Sequence, residues 1–426
     1  MATAQSLEDQ IKDQWVVLLQ PGFRTLGKRD IGANYGIAPE NVVSTYDFGG
    51  SLGFTAMMSR EKAEELNRDG TIMSIAPNGI VRHAAIIEQP SPANYGLARI
   101  SHRQRGNFSS YRFDDTSGRG TCIYVIDSGL NARSDEFGTR GVQKANFVPN
   151  EPTADLNGHG THVAGIAASK TYGAAKNARV YAVKVFGASG GGSIDAIMQA
   201  VSFVLKDAIS EAANCPRGFV VNMSIQLDIT FGDTPQQVQD SQRQGQMLNT
   251  ATSLLLNSAN PTFNVFIAAG NNNHAASLTA PGNTPGACTI GNTDGADFIY
   301  RGDPRFGSPN AGASDYGSTV KLFAPGVDIL STAFSNVVRP NDPVMGLFGP
   351  FGNFTELMTG TSMSSPLVAG IAATILAVNN TKFTTATMCS YLQNLGTKAT
   401  IQNTNDPQFV GVPPSPNIVA YNGNGA

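Results

Sequence analysis

At 426 residues, 41% of them hydrophobic, the chain is long enough for one large domain with its own core and a smaller one beside it. A net charge of -3 gives no strong pull toward nucleic acid or acidic membranes, so neither is expected as a partner. No apolar run approaches the roughly 20 residues of a membrane-crossing helix. Met1 to Trp15 carries Glu8, Asp9, Lys12 and Asp13 and no apolar h-region, so it does not read as a secretory signal. From about residue 11 to 87 the pattern is that of a compact α+β unit. Strands are expected at Trp15–Leu19, Val42–Phe48 and Leu52–Met58, the last two separated by Gly49 and Gly50. A helix over Arg60–Asn67 has Ser59 as its N-cap, and short strands follow at Ile72–Ala76 and Val81–Ile87. Pro90, Ser91 and Pro92 then read as an extended linker.

Beyond the linker, apolar runs of strand length alternate with helical segments. The strands are Cys122–Ile126, Val180–Phe186, Val220–Ser224 and Val265–Ala268. The helices are Gly158–Ser169, Ser193–Glu211, Met247–Asn257 and Ser362–Val378. In the second of these, Ile194, Ile197, Val201, Leu205 and Ala208 follow helical spacing. Fully apolar strands between helices predict an α/β fold, a doubly wound parallel sheet covered on both faces. In such sheets chemistry gathers past the carboxyl ends of the strands. Two stretches interrupt the alternation. Asp228–Gln246 is polar and rich in glutamine; Ala333–Met358 holds Phe334, Leu347, Phe348, Phe351 and Phe354 among glycines and prolines. Both read as insertions on the active-site face.

Three motifs carry candidate catalytic groups, in the order Asp, His, Ser. Asp127 ends Val125-Ile126-Asp127-Ser128-Gly129. His159 lies in Asn157-Gly158-His159-Gly160-Thr161-His162, followed by small residues that suit a helix packed on a sheet. Ser362 lies in Gly360-Thr361-Ser362-Met363-Ser364-Ser365-Pro366. Gly360 would allow close backbone approach, and Pro366 is expected in the first turns of a helix, where a missing N–H is tolerated. A serine hydroxyl needs a base to take its proton, and a histidine oriented by a buried carboxylate is such a base. His162 reads as a structural or surface residue. Phe266-Ile267-Ala268-Ala269-Gly270-Asn271 reads as a buried strand ending at an amide, a donor of the kind acyl transfer requires.

Each motif resembles its counterpart in the subtilisin family. Gly120-Thr121-Cys122-Ile123-Tyr124-Val125-Ile126-Asp127 and Tyr95-Gly96-Leu97-Ala98-Arg99-Ile100-Ser101 resemble the proteinase K branch, and the likeness runs from about Tyr95 to the C-terminus. It implies a serine endopeptidase acting on polypeptides, with Asn271 and the Ser362 N–H as oxyanion donors. It implies a substrate groove formed by Gly190, Gly191 and Gly192 on one side and Ser224, Ile225 and Gln226 on the other, with Ala268, Ala269 and Gly270 walling the pocket for the residue before the cut. Relatives usually carry glycines where this chain has Gln226 and Leu227, so side chains there are expected to narrow the groove.

The N-terminal unit resembles the inhibitory propeptide of subtilisins, a small ferredoxin-like domain whose tail lies in the active site. Aligning Tyr95–Ser101 with the family places the mature start near Glu88, which implies a propeptide over 1–87 and a peptidase domain over 88–426, with cleavage after Ile87 and Ala84, Ala85 and Ile86 in the preceding subsites. A pocket that accepts an aliphatic or other hydrophobic residue follows. The chain's own propeptide would then be an intramolecular inhibitor and folding aid, and the enzyme a monomer. The four cysteines allow three pairings; the resemblance implies Cys122–Cys215 and Cys288–Cys389. Disulfides suit a secreted protein whose signal has been removed. Sequons stand at Asn107, Asn222, Asn353 and Asn379, with Asn222 in a core strand and unsuited to glycosylation.

No cofactor or metal is expected. The proteinase K branch commonly holds Ca²⁺ through two carbonyls and a carboxylate. Pro285 and Ala287 match the carbonyls, but Lys321 stands at the carboxylate position. Its ammonium either bonds those carbonyls or points to solvent, and Ca²⁺ loses its anionic ligand in both cases. Two rival functions use the same residues: a silent binding scaffold with a blocked groove, and a transferase or ligase in which an amine replaces water.

Overall fold

The computed structural model describes residues 11, 13–22, 28–48, 51–78, 86–303, 310–334, 354–379, 381–404 and 414–425. The chain divides into two compact units, Met1–Ala84 and Ala85–Ala426. In the first, β1 (Gln14–Leu19), β2 (Val42–Asp47), β3 (Leu52–Met57) and β4 (Ile72–Pro77) form an antiparallel sheet in the order β2-β3-β1-β4. Helices Lys28–Tyr35 and Arg60–Leu66 supply the two crossovers of a βαββαβ, ferredoxin-like unit. Ser59 caps the second, its Oγ accepting the Lys62 N–H at 3.3 Å. The first helix, KRDIGANY, lacks a clear apolar period, yet Ile31 and Tyr35 face inward one turn apart. Val17, Leu19, Phe54 and Ala56 complete that core with no exposure. The Gly49-Gly50 link and the expected strand over Val81–Ala85 fall outside the described residues. Ile86 and Ile87 are described, but they belong to the second unit. They open β5 (Ile86–Pro90), which pairs with β6 (Ser110–Asp114). Pro90 therefore ends a strand rather than starting a linker.

In the second unit the chain lays down β7 (Thr121–Asp127), β8 (Gly141–Asn146), β9 (Arg179–Lys184), β10 (Gly218–Met223), β11 (Leu227–Asp228), β12 (Phe263–Ala268), β13 (Thr279–Ala280), β14 (Cys288–Thr293), β15 (Leu322–Pro325), β16 (Ile329–Thr332), β17 (Thr355–Met358), β18 (Thr397–Lys398) and β19 (Ile418–Val419). Nine of these form one sheet in the order β18-β19-β15-β14-β12-β10-β7-β9-β8, parallel except for the β18–β19 edge pair. One apolar cluster packs helices His159–Ala168 and Thr361–Val378 on one face; another packs Ile194–Ser210 and Pro235–Leu256 on the other. This is the doubly wound arrangement, and it explains why β7, β10 and β12 are buried almost throughout and mainly apolar. Connections leave β7 toward β9 and β8, and leave β10 toward β12 and β14, so the switch point lies between β7 and β10.

The helix Thr361–Val378 is long and apolar enough to cross a membrane, but 89% of it is buried inside the protein. The Asp228–Gln246 stretch is not a loop. Most of it belongs to the Pro235–Leu256 helix, opened by a capping box of Thr234 and Gln237. The second insertion leaves and rejoins the protein through the β16–β17 hairpin, and Leu347, Phe348, Phe351 and Asn353 lie outside the described residues. Disulfides join Cys122 to Cys215 and Cys288 to Cys389, with Cα–Cα distances of 5.5 and 5.6 Å. Asn222 is fully buried in β10.

Candidate active site

Asp127 is the last residue of β7, beside the switch point, and has no exposure. Its Oδ1 accepts the Ser128 N–H at 2.7 Å. His159 Nδ1 lies 2.8 Å from Oδ1 and 3.0 Å from Oδ2. An ionised carboxylate only accepts, so Nδ1 carries the proton and Nε2 is left as the basic nitrogen. His159 opens its helix, and Asp155 organises that entry. Asp155 Oδ1 accepts the N–H groups of Asn157 and Gly158 and the Ser128 hydroxyl; Oδ2 accepts the N–H and hydroxyl of Thr161. Burial pushes the Asp155 carboxyl up, but these donors outweigh it and hold it below its usual value. Gly160 must be glycine, because a Cβ would lie 2.4 Å from the Gly129 carbonyl. His162 is structural: it is buried, with Nε2 3.0 Å from the carbonyls of Ile329 and Glu356.

Ser362 is the second residue of its helix, 9% exposed. It follows β17, a strand of the small hairpin, and not a strand of the parallel sheet. Pro366 is the sixth helical residue, one turn beyond Ser362 and past the tolerant first turn. Its missing N–H is the one that would have bonded the Ser362 carbonyl. The Ser224 hydroxyl replaces it, donating to Ser362 O at 2.9 Å. Ser224 in turn accepts from Asn222 Nδ2 at 3.0 Å, and Asn222 Oδ1 accepts from the Ser365 hydroxyl at 2.8 Å. The end of β10 is thus tied to the helix that carries Ser362.

Asn271 lies just past β12. Its Oδ1 accepts the Thr361 N–H at 2.8 Å and the Thr361 hydroxyl at 3.0 Å. A backbone N–H can only donate, so the oxygen faces Thr361 and Nδ2 is turned the other way as a donor. Gly360 lets this pairing form, since a Cβ there would sit 3.1 Å from Asn271 Oδ1. Behind the loop, buried Asp315 accepts from the Thr279 hydroxyl at 2.6 Å and from the Asn272 N–H at 2.8 Å. Burial pushes its carboxyl above the ordinary value despite these bonds. The contacts made by Asp155, Asn222, Thr361 and Asp315 are not visible in the sequence. Their roles depend on partners from other elements; only Asp155, ahead of a helix start, carries a local signal.

The glycine segment forms an exposed turn beside the His159 loop: the Gly187 N–H donates to Gly191 O, and Asn157 Nδ2 donates to Ala188 O at 3.1 Å. On the other wall Ile225, Ala268 and Ala269 are buried and Gln226 is exposed. Of the two departures, Leu227 is partly buried and packs against the apolar cluster beneath the Ile194–Ser210 and Pro235–Leu256 helices. Gln226 reaches across, its Oε1 accepting the Asn271 N–H at 2.7 Å. Lys321 Nζ lies 3.3 Å from Ser318 O, in its own turn, rather than bonding the carbonyls of Pro285 and Ala287. The donor set there does not fit Ca²⁺, which needs oxygen ligands and gains from anionic ones. Among the described residues, no cluster of three or more His, Cys, Asp or Glu could hold a metal.

Comparison with known proteins agrees with this geometry. The subtilase family, peptidase S8, matches residues 118–421. A cuticle-degrading protease of Metarhizium anisopliae is 34% identical over 374 residues, covering 87% of this chain and 80% of the relative. Proteinase T of Parengyodontium album is 37% identical over 311 residues, covering 73% of this chain and 88% of the relative. The crystal structure of a cold adapted subtilisin-like serine proteinase superposes with a TM-score of 0.57 at 29% identity, covering 78% of this chain and 99% of that one. The chain belongs to the subtilase family and is a subtilisin-type serine endopeptidase.

Proposed function

We propose that this endopeptidase is made as a self-inhibited zymogen and cuts through an acyl-enzyme on Ser362. The observation that carries the reading is the bond between His159 Nδ1 and the buried Asp127 carboxylate at the sheet's switch point. Ser362 Oγ attacks the substrate carbonyl, His159 Nε2 takes its proton and later gives it to the leaving amine, and Asp127 stabilises the imidazolium. Asn271 Nδ2 and the Ser362 N–H, an unpaired donor at a helix start, receive the oxyanion. The apolar wall of Ala268 and Ala269 suits an aliphatic or other hydrophobic residue before the cut. Two disulfides favour an oxidising, extracellular setting.

The separately folded Met1–Ala84 unit is the natural candidate for the inhibitor. Ile86 and Ile87, 44% and 43% exposed, offer apolar side chains just before the proposed processing bond. That bond lies within the β5–β6 ladder, so the cut requires these two residues to be free of β6 when it happens. The test is to treat purified protein with a fluorophosphonate, and separately with a mixed peptide library. Labelling together with cleavage supports the peptidase. Labelling without cleavage points to a transferase or ligase, and no labelling to a silent scaffold.

A further inference from the structure

The two walls of the cleft are continuations of neighbouring strands. β10 and β12 run parallel with Met223 opposite Ile267, and beyond them the chain becomes Ser224–Gln226 on one side and Ala268–Gly270 on the other. The second wall cannot retreat: Ala269 has no exposure, and a Cβ on Gly270 would meet Asp315 Oδ2 at 2.1 Å. The first is held by Ser224, which is bonded to Ser362 O, and by Leu227, which pairs with Ala280. A side chain spans the gap between these walls. Gln226 reaches across, and its Oε1 accepts the backbone N–H of Asn271 at 2.7 Å. Gln226 is exposed and has three rotatable side-chain bonds before its carboxamide, so it can also swing away.

We infer that Gln226 is a movable bar across the pocket for the residue before the cut, and that with free peptides it makes the enzyme favour small aliphatic residues, alanine first, over leucine and phenylalanine; Ile87, tethered in the same chain, displaces the bar through its high effective concentration. This rests on the reading of Ser362 as nucleophile. A small side chain fits with the bar in place; a large one must break the bond to Asn271 and displace the carboxamide. Displacement leaves chemistry intact, because Gln226 holds only the backbone of Asn271. The side-chain amide of Asn271 is fixed separately by Thr361. The bar therefore acts on discrimination between substrates and not on the oxyanion donors.

The experiment compares kcat/KM for otherwise identical peptides with Ala, Leu or Phe before the cut, using self-processed wild type, Gln226→Ala and Gln226→Glu. Active sites are counted with a fluorophosphonate. Gln226→Ala should raise the Leu/Ala and Phe/Ala ratios by about tenfold or more, the scale on which pocket volume discriminates. Gln226→Glu keeps an acceptor of the same reach and should retain the wild-type ratios. Unchanged ratios in Gln226→Ala, or equal relief in Gln226→Glu, would overturn the inference while leaving the nucleophile reading standing. A wild type that takes no probe overturns the nucleophile reading, and this inference with it.

Discussion

At the scale of single residues, the site is a set of backbone demands met by particular side chains. Asn271 is held by its oxygen so that its nitrogen is free to donate. Asn271→Ala should therefore lower kcat by about 10²–10³, with KM changing little, as loss of an oxyanion donor does. Steady-state kinetics on titrated enzyme checks this, and a fall confined to KM would assign Asn271 to substrate binding instead. Ser224 illustrates a different dependence. Because Pro366 has no N–H, Ser224→Ala leaves the buried Ser362 carbonyl without its donor, at a cost of about 1–3 kcal/mol. Urea denaturation of inactive Ser362→Ala protein, with and without Ser224→Ala, measures it free of self-digestion. Asp127, His159, Ser362 and Asn271 stand out in sequence as candidates because each adjoins glycines or small residues. The contacts of Asn222 and Thr361 do not, because the Ser365 that bonds Asn222 is 143 residues away, and the Asn271 that bonds Thr361 is 90 away.

At the scale of elements, strands and most helices were readable because β7, β10 and β12 are mainly apolar and the helices keep a helical period. The Pro235–Leu256 helix was only half read, for a physical reason. Its inward face is Ser241, Gly245, Leu248, Thr252 and Leu255, so hydrophobicity reveals only the C-terminal part. Small residues are required there: a Cβ on Gly245 would lie 2.5 Å from Ile229 Cγ2. The helix start depends on the Thr234–Gln237 capping box, and Thr234→Ala should cost about 1 kcal/mol. A drop in urea midpoint with unchanged slope is the expected signature. The end of the Ile194–Ser210 helix is tied to β8 and β9 by Glu211, which bonds the Lys144 ammonium and the Tyr181 hydroxyl at 2.7 Å. Lys144 first, then Tyr181, hold this carboxyl at about 2. Such a depressed group stabilises fully above its unfolded value of about 4.3 and loses that contribution as pH falls toward its folded value. Glu211→Gln should thus lower Tm at pH 6, with the gap from wild type shrinking between pH 5 and 2. A gap that stayed constant across this range would contradict the ion-pair account.

At the scale of the whole molecule, two folded units and an α/β sheet were legible from alternation alone, whereas the division at Ala84 was not. The expected boundary at Ile87 followed motif alignment; β5 pairing draws Ile86 and Ile87 into the larger unit. N-terminal sequencing of the active form should give a start near Glu88, and a start far from residues 86–90 would refute the alignment. Lys321 in place of a carboxylate predicts little difference in Tm between millimolar calcium and a chelator. A calcium-dependent rise that tracks an ion seated between the Pro285 and Ala287 carbonyls and residue 321 would show that the site is used after all. The reading stands most directly on the nucleophile. Self-processed enzyme reacted with a fluorophosphonate should carry one adduct, mapped to Ser362 by mass spectrometry, absent in Ser362→Ala and much slower to form in His159→Ala. An adduct on another residue, or none, would contradict it.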